Sequence, residues 1–285
     1  MYVIPLCADL YIYYASGIVA LAIIEIIFER RIPMYEIQKA SLLKRMSAFL
    51  LDFILMTIAV TGIAFLLMVV TGYDNHAGVV SEKRDFYEKE YGVDFDISLE
   101  DYEKLNEDEQ KVYLEADKAF SNDKEVAFAY NMMFNLVLII TSVSLLVSYL
   151  IVEFVLPLIF KNGQTLGKKI FGIGIVFENS VRITNFALFS RTVLGKYTVE
   201  TMIPVILIVT MIFGGGGLVA LIVIGLLLIL ELFVFFKDKR YTLLHDVLCH
   251  TVCVDMATQM IFENVEELNA YKARVHAEAV QNADY

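Results

Sequence analysis

Residues 45–72 read RMSAFLLDFILMTIAVTGIAFLLMVVTG, and the rest of the chain is organised around this stretch. Between Met46 and Thr71 the one charged residue is Asp52. At about 1.5 Å per residue, a helix of this length crosses a hydrocarbon core of about 30 Å. Arg45 stands at its start, and Asp52 follows about two turns later on nearly the same helix face. An ionised carboxylate at that depth is costly in lipid, so Asp52 requires a cation, a polar cavity or a bound proton.

The composition indicates a multi-pass membrane protein. Of the 285 residues, 58% are hydrophobic, and the mean hydropathy is +0.63. The net charge of −11 is concentrated in residues 74–125, which hold 17 Asp or Glu against 7 Lys or Arg. This acidic balance argues against nucleic-acid binding. The three cysteines Cys7, Cys249 and Cys253 provide no disulfide framework.

Apolar segments predict five membrane spans. The first runs from Leu10 to Phe28, and because no basic region precedes it, we expect it to remain as a helix rather than be cleaved. The second is the stretch quoted above, and the third extends from Met132 to Phe160. The apolar run from Met202 to Phe236 is too long for one span, and Gly214 to Gly217 interrupt it. This run predicts a helical hairpin, with a re-entrant loop as the alternative.

The distribution of lysine and arginine predicts the orientation of these spans. Residues 30–45 carry five, residues 161–196 carry six and residues 237–240 carry three, whereas the loop at 214–217 has none. The positive-inside rule then puts the N-terminus and the acidic insert outside and the C-terminus inside. The predicted fold class is therefore all-α: a polytopic transmembrane helical bundle of about five spans, with an acidic, partly helical extracytoplasmic insert.

Three regions are expected along the chain. Residues 1–40 form an N-terminal transmembrane helix and link, residues 41–255 a membrane domain interrupted by the acidic insert at 73–125, and residues 256–285 a cytoplasmic amphipathic tail. In the insert, Ser98 and Asn106 stand where helix N-caps would, each with an acid three residues later. We predict two or three short helices there, and a solvated loop with fluctuating helices is the alternative.

The polar segment after the third span predicts a strand and an interfacial helix. Residues Ile173 to Phe177 alternate as a strand does and could turn back into Val181 to Ile183. Residues Phe186 to Tyr197 have the pattern of an amphipathic helix that lies at the membrane interface and carries Arg191 and Lys196.

Three short motifs occur in order around the spans. They are Arg45-x-x-Ala48-x-x-x-Asp52, then GQTLGKK at 163–169 followed by Arg191, and then Leu244-His245-Asp246 with Thr251-Val252. Together they resemble the RDD family of membrane proteins over roughly Ser41 to Val254. The arginine and two aspartates for which that family is named would be Arg45, Asp52 and Asp246. The resemblance implies a membrane domain for which transport is suggested, and it names no substrate. The first span, the long insert and the break at 214–217 depart from the family pattern.

Four acids lie at a similar depth on four predicted spans. They are Glu25, Asp52, Glu153 and Glu231. Each is four to eight residues from the cytoplasmic end of its span, about 6 to 12 Å deep at about 1.5 Å per residue. Such a layer could line a cation site or a proton relay. In the alternative interpretation, each acid reaches the membrane surface or pairs with a base, namely Arg45, Arg191, Lys168 or Lys169.

Arg45 and Asp246 have two interpretations each. Arg45 could be an anchor at the cytoplasmic surface or could bridge between helices to Asp246. Asp246 could instead cap the turn that follows it.

Metal and catalytic motifs are not recognisable in the sequence. The nearest candidates are His245, Cys249, His250 and Cys253. Their Cys-x-x-x-Cys spacing matches no common zinc pattern, so we expect no metal and no cofactor. There is no Gly-x-Ser-x-Gly, His-Glu-x-x-His or phosphate-binding loop, so we do not expect an enzyme.

Two functions are consistent with these observations. The first is a transporter or a cation/proton exchanger of the cell membrane that uses the buried acids and Arg45. The second is a non-transporting membrane scaffold or sensor whose acidic insert binds a partner. The expected partners are the lipid bilayer, a small cation or solute, and a second copy of the chain in a homo-oligomer.

Overall fold

A computed structural model describes residues 37–212, 217–237 and 242–283. The predicted first span, with Glu25, and the glycine-rich break at 214–216 lie outside these residues. In chain order the helices are α1 Leu42–Thr71, α2 Tyr73–Tyr91, α3 Leu99–Tyr102, α4 Glu107–Asn122, α5 Lys124–Phe160, α6 Leu166–Ile170, α7 Asn185–Ile212, α8 Gly217–Lys237, α9 Leu244–Leu248 and α10 Val265–Ala283. The strands are β1 Ile173–Phe177 and β2 Thr251–Asp255.

Four of the described helices, α1, α5, α7 and α8, are long and apolar enough to cross a membrane. They confirm the predicted all-α membrane fold, and they make this chain a multi-pass membrane protein. The long apolar run that begins at Met202 is divided between α7 and α8, as the predicted hairpin requires. Large apolar side chains stay exposed along these helices, for example Leu50, Ile58 and Leu228, as expected for surfaces that face lipid.

The predicted interfacial helix at Phe186 to Tyr197 is wrong as a separate element. It forms the first part of α7 and continues into the membrane span without a break. From Arg191 to Met202 this helix is π-wound, with hydrogen bonds between residues i and i+5. Arg191 is 1% exposed and pairs with an acid inside the fold, so its charge does not need the membrane interface.

The turn predicted after β1 forms, but residues 181–183 are not the main partner of β1. Residues 181–183 contribute an isolated bridge between Val176 and Arg182, and the main partner of β1 is β2, from beyond the last span. The two strands are antiparallel, with Ile175 opposite Cys253. Both strands are buried along nearly their whole length and pair over five residues, whereas the 181–183 segment is too short to do so.

The start of α1 is attached to β2. The backbone N–H of Ala40 donates to the carbonyl of Cys253 at 3.3 Å, and the N–H of Asp255 donates to the carbonyl of Gln38 at 3.0 Å. The ammonium of Lys44 lies 2.6 Å from Asp255 Oδ2. These contacts hold the N-terminal end of the first described span against the small sheet.

Contacts divide the chain into two compact units: residues 58–147, and the described residues on either side of them. In the first of these, α3 and α4 begin where the sequence predicted. Ser98 accepts a hydrogen bond from the N–H of Asp101, and Asn106 forms a reciprocal capping box with Glu109. Helix α2 packs on α4, and a cluster of aromatic rings joins the two helices through Tyr87 and Phe120.

Candidate functional site

The unit that contains β1 and β2 holds a cavity of about 550 Å³, which we call the charged cavity. Its acidic lining residues are Asp52, Glu153, Glu200 and Asp246. Its basic lining residues are Arg45, Lys168, Arg191 and Lys196, and His245 is also at the wall. The remaining wall is mainly apolar and includes Phe49, Phe53 and Phe235. Since four acids face four bases, the formal charge of this lining is close to zero.

Asp52 joins α1 to the loop and helix that follow α5. Its Oδ1 atom accepts the backbone N–H of Gly167 at 2.8 Å, and its Oδ2 atom accepts the hydroxyl of Thr165. A Cβ atom on Gly167 would lie 2.4 Å from the carbonyl oxygen of Ala48 and 2.8 Å from Asp52 Oδ1. The small Ala48 and Gly167 therefore let the two segments approach, and the first two sequence motifs are the two sides of one contact.

Lys168 stands between two buried carboxylates. Its Nζ atom is 3.7 Å from Asp52 Oδ2 and 3.7 Å from Glu153 Oε2. Burial lowers the pKa of Lys168, and the nearby charge of Lys196 acts in the same direction, against the attraction of Glu153 and Asp52. Glu153 also binds Lys196, with 2.5 Å between Oε1 and Nζ. Asp52 and Glu153 therefore meet at one lysine, as members of the predicted acid layer.

Arg191 and Asp246 form a fully buried ion pair, each 1% exposed. The Nε and Nη2 atoms of Arg191 donate to Asp246 Oδ1 at 3.0 and 2.9 Å, and Thr251 Oγ1 donates to the same oxygen at 3.0 Å. Burial opposes ionisation of Asp246, but the guanidinium groups of Arg191 and, more weakly, Arg45 hold the pKa of that carboxyl below its usual range. Arg45 thus acts on Asp246 through its charge, while Arg191 supplies hydrogen bonds that sequence reasoning did not assign.

One polar atom of each residue in this pair makes no hydrogen bond among the described residues. Asp246 Oδ2 and Arg191 Nη1 are buried and have no hydrogen-bond partner among the described residues. Buried polar atoms are satisfied in most proteins, so an orphaned acceptor beside an orphaned donor at a cavity wall requires an explanation.

His245 lies between Asp246 and a further acid, Glu200. Its Nδ1 atom is 2.7 and 2.8 Å from the two carboxylate oxygens of Glu200, and its backbone N–H donates to Glu200 Oε1 at 2.8 Å. On the other side, Nε2 is 3.7 Å from Asp246 Oδ2. Burial lowers the pKa of His245, although the carboxylate of Glu200 raises it. A Cβ atom on Gly195 would lie 2.5 Å from His245 Cβ, so glycine allows this close approach.

Glu231 belongs to this second group of acids and not to the one at Lys168. Its Oε2 atom accepts the backbone N–H of Leu244 at 3.3 Å, and its carboxyl is hydrogen-bonded to that of Glu200. The predicted layer of four acids is therefore divided, with Glu25 outside the described residues. Sequence reasoning missed Glu200, although an acid in the apolar continuation from Thr198 was a signal available in the sequence.

The π-wound part of α7 brings three charged side chains to the cavity. At about 100° per residue, an α-helix would put Arg191 and Glu200 on nearly opposite faces, about 180° apart. With hydrogen bonds from i to i+5, residues four and five apart follow one another along one face. Arg191, Lys196 and Glu200 have this spacing, and all three line the cavity. Glu153 is likewise in a π-wound segment, Leu150–Val155 of α5.

Within the described ranges, no group of three or more His, Cys, Asp or Glu side chains is arranged to hold a metal ion. Cys249 and Cys253 are free thiols, and Cys253 lines the cavity. Burial raises the pKa of Cys249, which leaves it a poor nucleophile at neutral pH.

A comparison with known protein families gives a match. A sequence model of the RDD family matches residues 39–250, which include the first two motifs, Leu244-His245-Asp246 of the third, and most of the charged cavity. A search of curated proteins and a search of solved structures found no match.

Proposed function

This chain belongs to the RDD family of membrane proteins, and we propose that it transports a small cation or solute across the cell membrane in exchange for protons. The observation that carries the proposal is the charged cavity in the membrane domain. Ionisable groups inside membrane spans are costly and mark transport paths in many membrane proteins. Here Asp52, Glu153 and Glu200 stand on three different spans and line one cavity.

The pairing of these acids supports a site for a cation. The ammonium groups of Lys168 and Lys196 neutralise Asp52 and Glu153, which offsets the cost of burying the carboxylates. Glu153 Oε2 has no hydrogen-bond partner within the described part of the chain, although Lys168 is 3.7 Å away. An entering cation would compete with the ammonium group of Lys168 for these two carboxylates. Lys168 therefore neutralises the site until a cation displaces it.

Flux measurements in proteoliposomes test the proposal. Wild-type protein should exchange protons for one or more small cations in an imposed gradient, and Asp52→Asn should lose the coupled flux while remaining folded. Glu263→Gln is a matched control, because Glu263 is 62% exposed and pairs with Arg182 away from the cavity. An Asp52→Asn variant with wild-type flux would contradict the role of the cavity.

A second function is supported by the same pairings. Asp52 and Glu153 are matched by lysines, and Asp246 is matched by Arg191, as expected of charges that stabilise a fold. The acidic insert folds into helices with an aromatic cluster of its own. These features suit a scaffold or sensor whose insert binds a partner. Wild-type proteoliposomes with no flux of cations or protons under any gradient would favour this second function.

A further inference from the structure

Four titratable groups form a continuous series across three elements. Glu231 on α8 is hydrogen-bonded to Glu200 on α7, Glu200 binds the Nδ1 side of His245 on α9, and the Nε2 side of His245 faces Asp246. Glu200, His245 and Asp246 line the charged cavity. The series therefore links Glu231, which is not a lining residue, to three residues of the cavity lining.

The hydrogen bonds determine where protons stand in this series. Glu200 accepts both the backbone N–H and the ring Nδ1 of His245, so it acts as a carboxylate and Nδ1 carries a hydrogen. Glu231 and Glu200 are hydrogen-bonded to each other, and a hydrogen bond between two carboxyl groups requires a proton that the two share. A neutral ring with that hydrogen on Nδ1 has a free lone pair on Nε2, and burial, which lowers the pKa of His245, favours the neutral ring.

The contact between His245 and Asp246 lacks a hydrogen. Nε2 and Asp246 Oδ2 are 3.7 Å apart, and both are acceptors. Asp246 is 1% exposed, and its Oδ2 atom has no hydrogen-bond partner among the described residues. Two acceptors side by side repel each other, whereas one proton on Nε2 would make the contact an ion pair that can close to a charge-assisted hydrogen bond. The structure thus contains a position where a proton from the cavity is stabilised.

We propose that His245 is the proton-binding group of this protein, held between the carboxylates of Glu200 and Asp246. A proton from the cavity adds to Nε2 and makes an imidazolium with Nδ1–H on Glu200 and Nε2–H on Asp246, and it leaves by the same route. No other bond forms or breaks. Glu200 and Asp246 are positioning residues, and Glu231 keeps Glu200 in place through the proton that they share.

Charges on every neighbouring element act on this position. Glu200 and Asp246 attract the added proton, and the guanidinium of Arg191 on α7 repels it. Lys196 on α7 acts on Glu200, and Arg45 on α1 acts on Asp246. The two carboxylates favour binding of the proton, whereas burial and these bases oppose it. The proton can therefore both bind and leave, as the exchange of protons requires.

Nitrogen NMR of the histidine side chains tests the inference without any transport assay. In full-length protein, His245 should titrate from a neutral ring with hydrogen on Nδ1 to an imidazolium, at a pH below that of an exposed histidine. Glu200→Gln removes one carboxylate and should lower the midpoint of His245 by about one pH unit or more. Asp246→Asn should also lower the midpoint of His245, and it is the variant to measure if Glu200→Gln does not fold. Glu178→Gln is the control, since Glu178 lies 3.9 Å from His250 and outside the cavity.

A midpoint of His245 that is the same in Glu200→Gln, Asp246→Asn and wild type would overturn the inference. The inference rests on the proposed function only for the role of His245 in exchange. A measurement of proton flux therefore distinguishes failure of the inference from failure of the proposed function. If His245 titrates as expected and wild-type proteoliposomes show no flux, the site stands and transport fails. If flux occurs with an unchanged pH profile in His245→Gln and a displaced one in Lys168→Gln, the proton belongs to Lys168 and the inference fails.

Discussion

Asp52 accepts the backbone N–H of Gly167 at 2.8 Å, and this hydrogen bond joins the first described span to the helix that follows the second. The residues are 115 positions apart in the chain. The carboxylate of Asp52 caps α6 together with Thr165, whose hydroxyl accepts the backbone N–H of Lys168, at a helix end where free N–H groups carry a partial positive charge. One acid in an apolar span therefore has a structural partner in addition to any role in transport.

Gly167→Ala should destabilise the protein by about 1–3 kcal/mol, because the added methyl group would overlap the carbonyl of Ala48 and the carboxylate of Asp52. Thermal unfolding in detergent measures the effect. Gly225→Ala in α8 is the matched control, since nothing lies within 4 Å of its added Cβ atom. Equal midpoints for the two variants would show that the contact between α1 and α6 is looser than described.

Asp246→Ala should cost about 3–5 kcal/mol, because it leaves the buried guanidinium of Arg191 without its partner. Replacing both residues by apolar side chains, as in Arg191→Met with Asp246→Leu, should recover much of that loss. A double-mutant cycle of unfolding free energies measures the coupling. The exposed pair of Arg182 and Glu263 provides the comparison, and Glu263→Ala should change stability by about 0–1 kcal/mol. Additive losses in the cycle for the buried pair would contradict this prediction.

The stability of the protein should fall on acidification, partly because of His245. Burial lowers the pKa of this residue in the folded state, whereas in the unfolded chain it takes up a proton near its ordinary value of about 6.5. Below that pH the unfolded state binds more protons, so the contribution of His245 is present above about pH 6.5 and is lost toward its folded pKa. Unfolding midpoints between about pH 8 and about pH 5 should decline less steeply in His245→Gln than in wild type. Parallel curves for the two proteins would show that His245 does not contribute.

Asp123→Ala should loosen the acidic insert by about 1 kcal/mol. Asp123 Oδ1 accepts the N–H of Glu125 at 2.7 Å, and Oδ2 binds Lys83 at 3.0 Å and Tyr87 at 3.1 Å. Hydrogen exchange should speed up in α2 and α4. Asp108→Ala is a suitable control, because Asp108 is 92% exposed and pairs with Lys111 within one helix turn. Unchanged exchange in Asp123→Ala would indicate that the aromatic cluster alone holds the insert together.

Single cysteines at Asn106 and Gln281, in a chain without its three native cysteines, should react with an impermeant reagent from opposite sides of the membrane. The expectation follows from the distribution of Lys and Arg among the loops, which puts the insert outside and the C-terminus inside. Labelling intact cells and inverted vesicles measures it. Reaction of both positions from one side would overturn the predicted topology.

Local features of this protein were predictable from the sequence alone. The length of the apolar runs determines the spans, since lipid leaves a helix as the only hydrogen-bonded form available to such a segment. The caps at Ser98 and Asn106 depend on residues three positions away, so their spacing was sufficient. The burial of Asp52 beside a small residue likewise follows from one helix face, on which Ala48 and Asp52 are neighbours.

The partners of these residues were decided only by the tertiary structure. The sequence suggested Arg45 as a partner of Asp246, whereas the packing of α9 against α7 brings Arg191 within hydrogen-bond distance of it. Strand β1 pairs with the distant β2 over five residues, and the sequence pattern alone does not show that this pairing is favoured over a hairpin with residues 181–183. The decisive feature is the π-winding of α7: sequence periodicity assumes about 100° per residue, and under that assumption Arg191 and Glu200 cannot face one cavity.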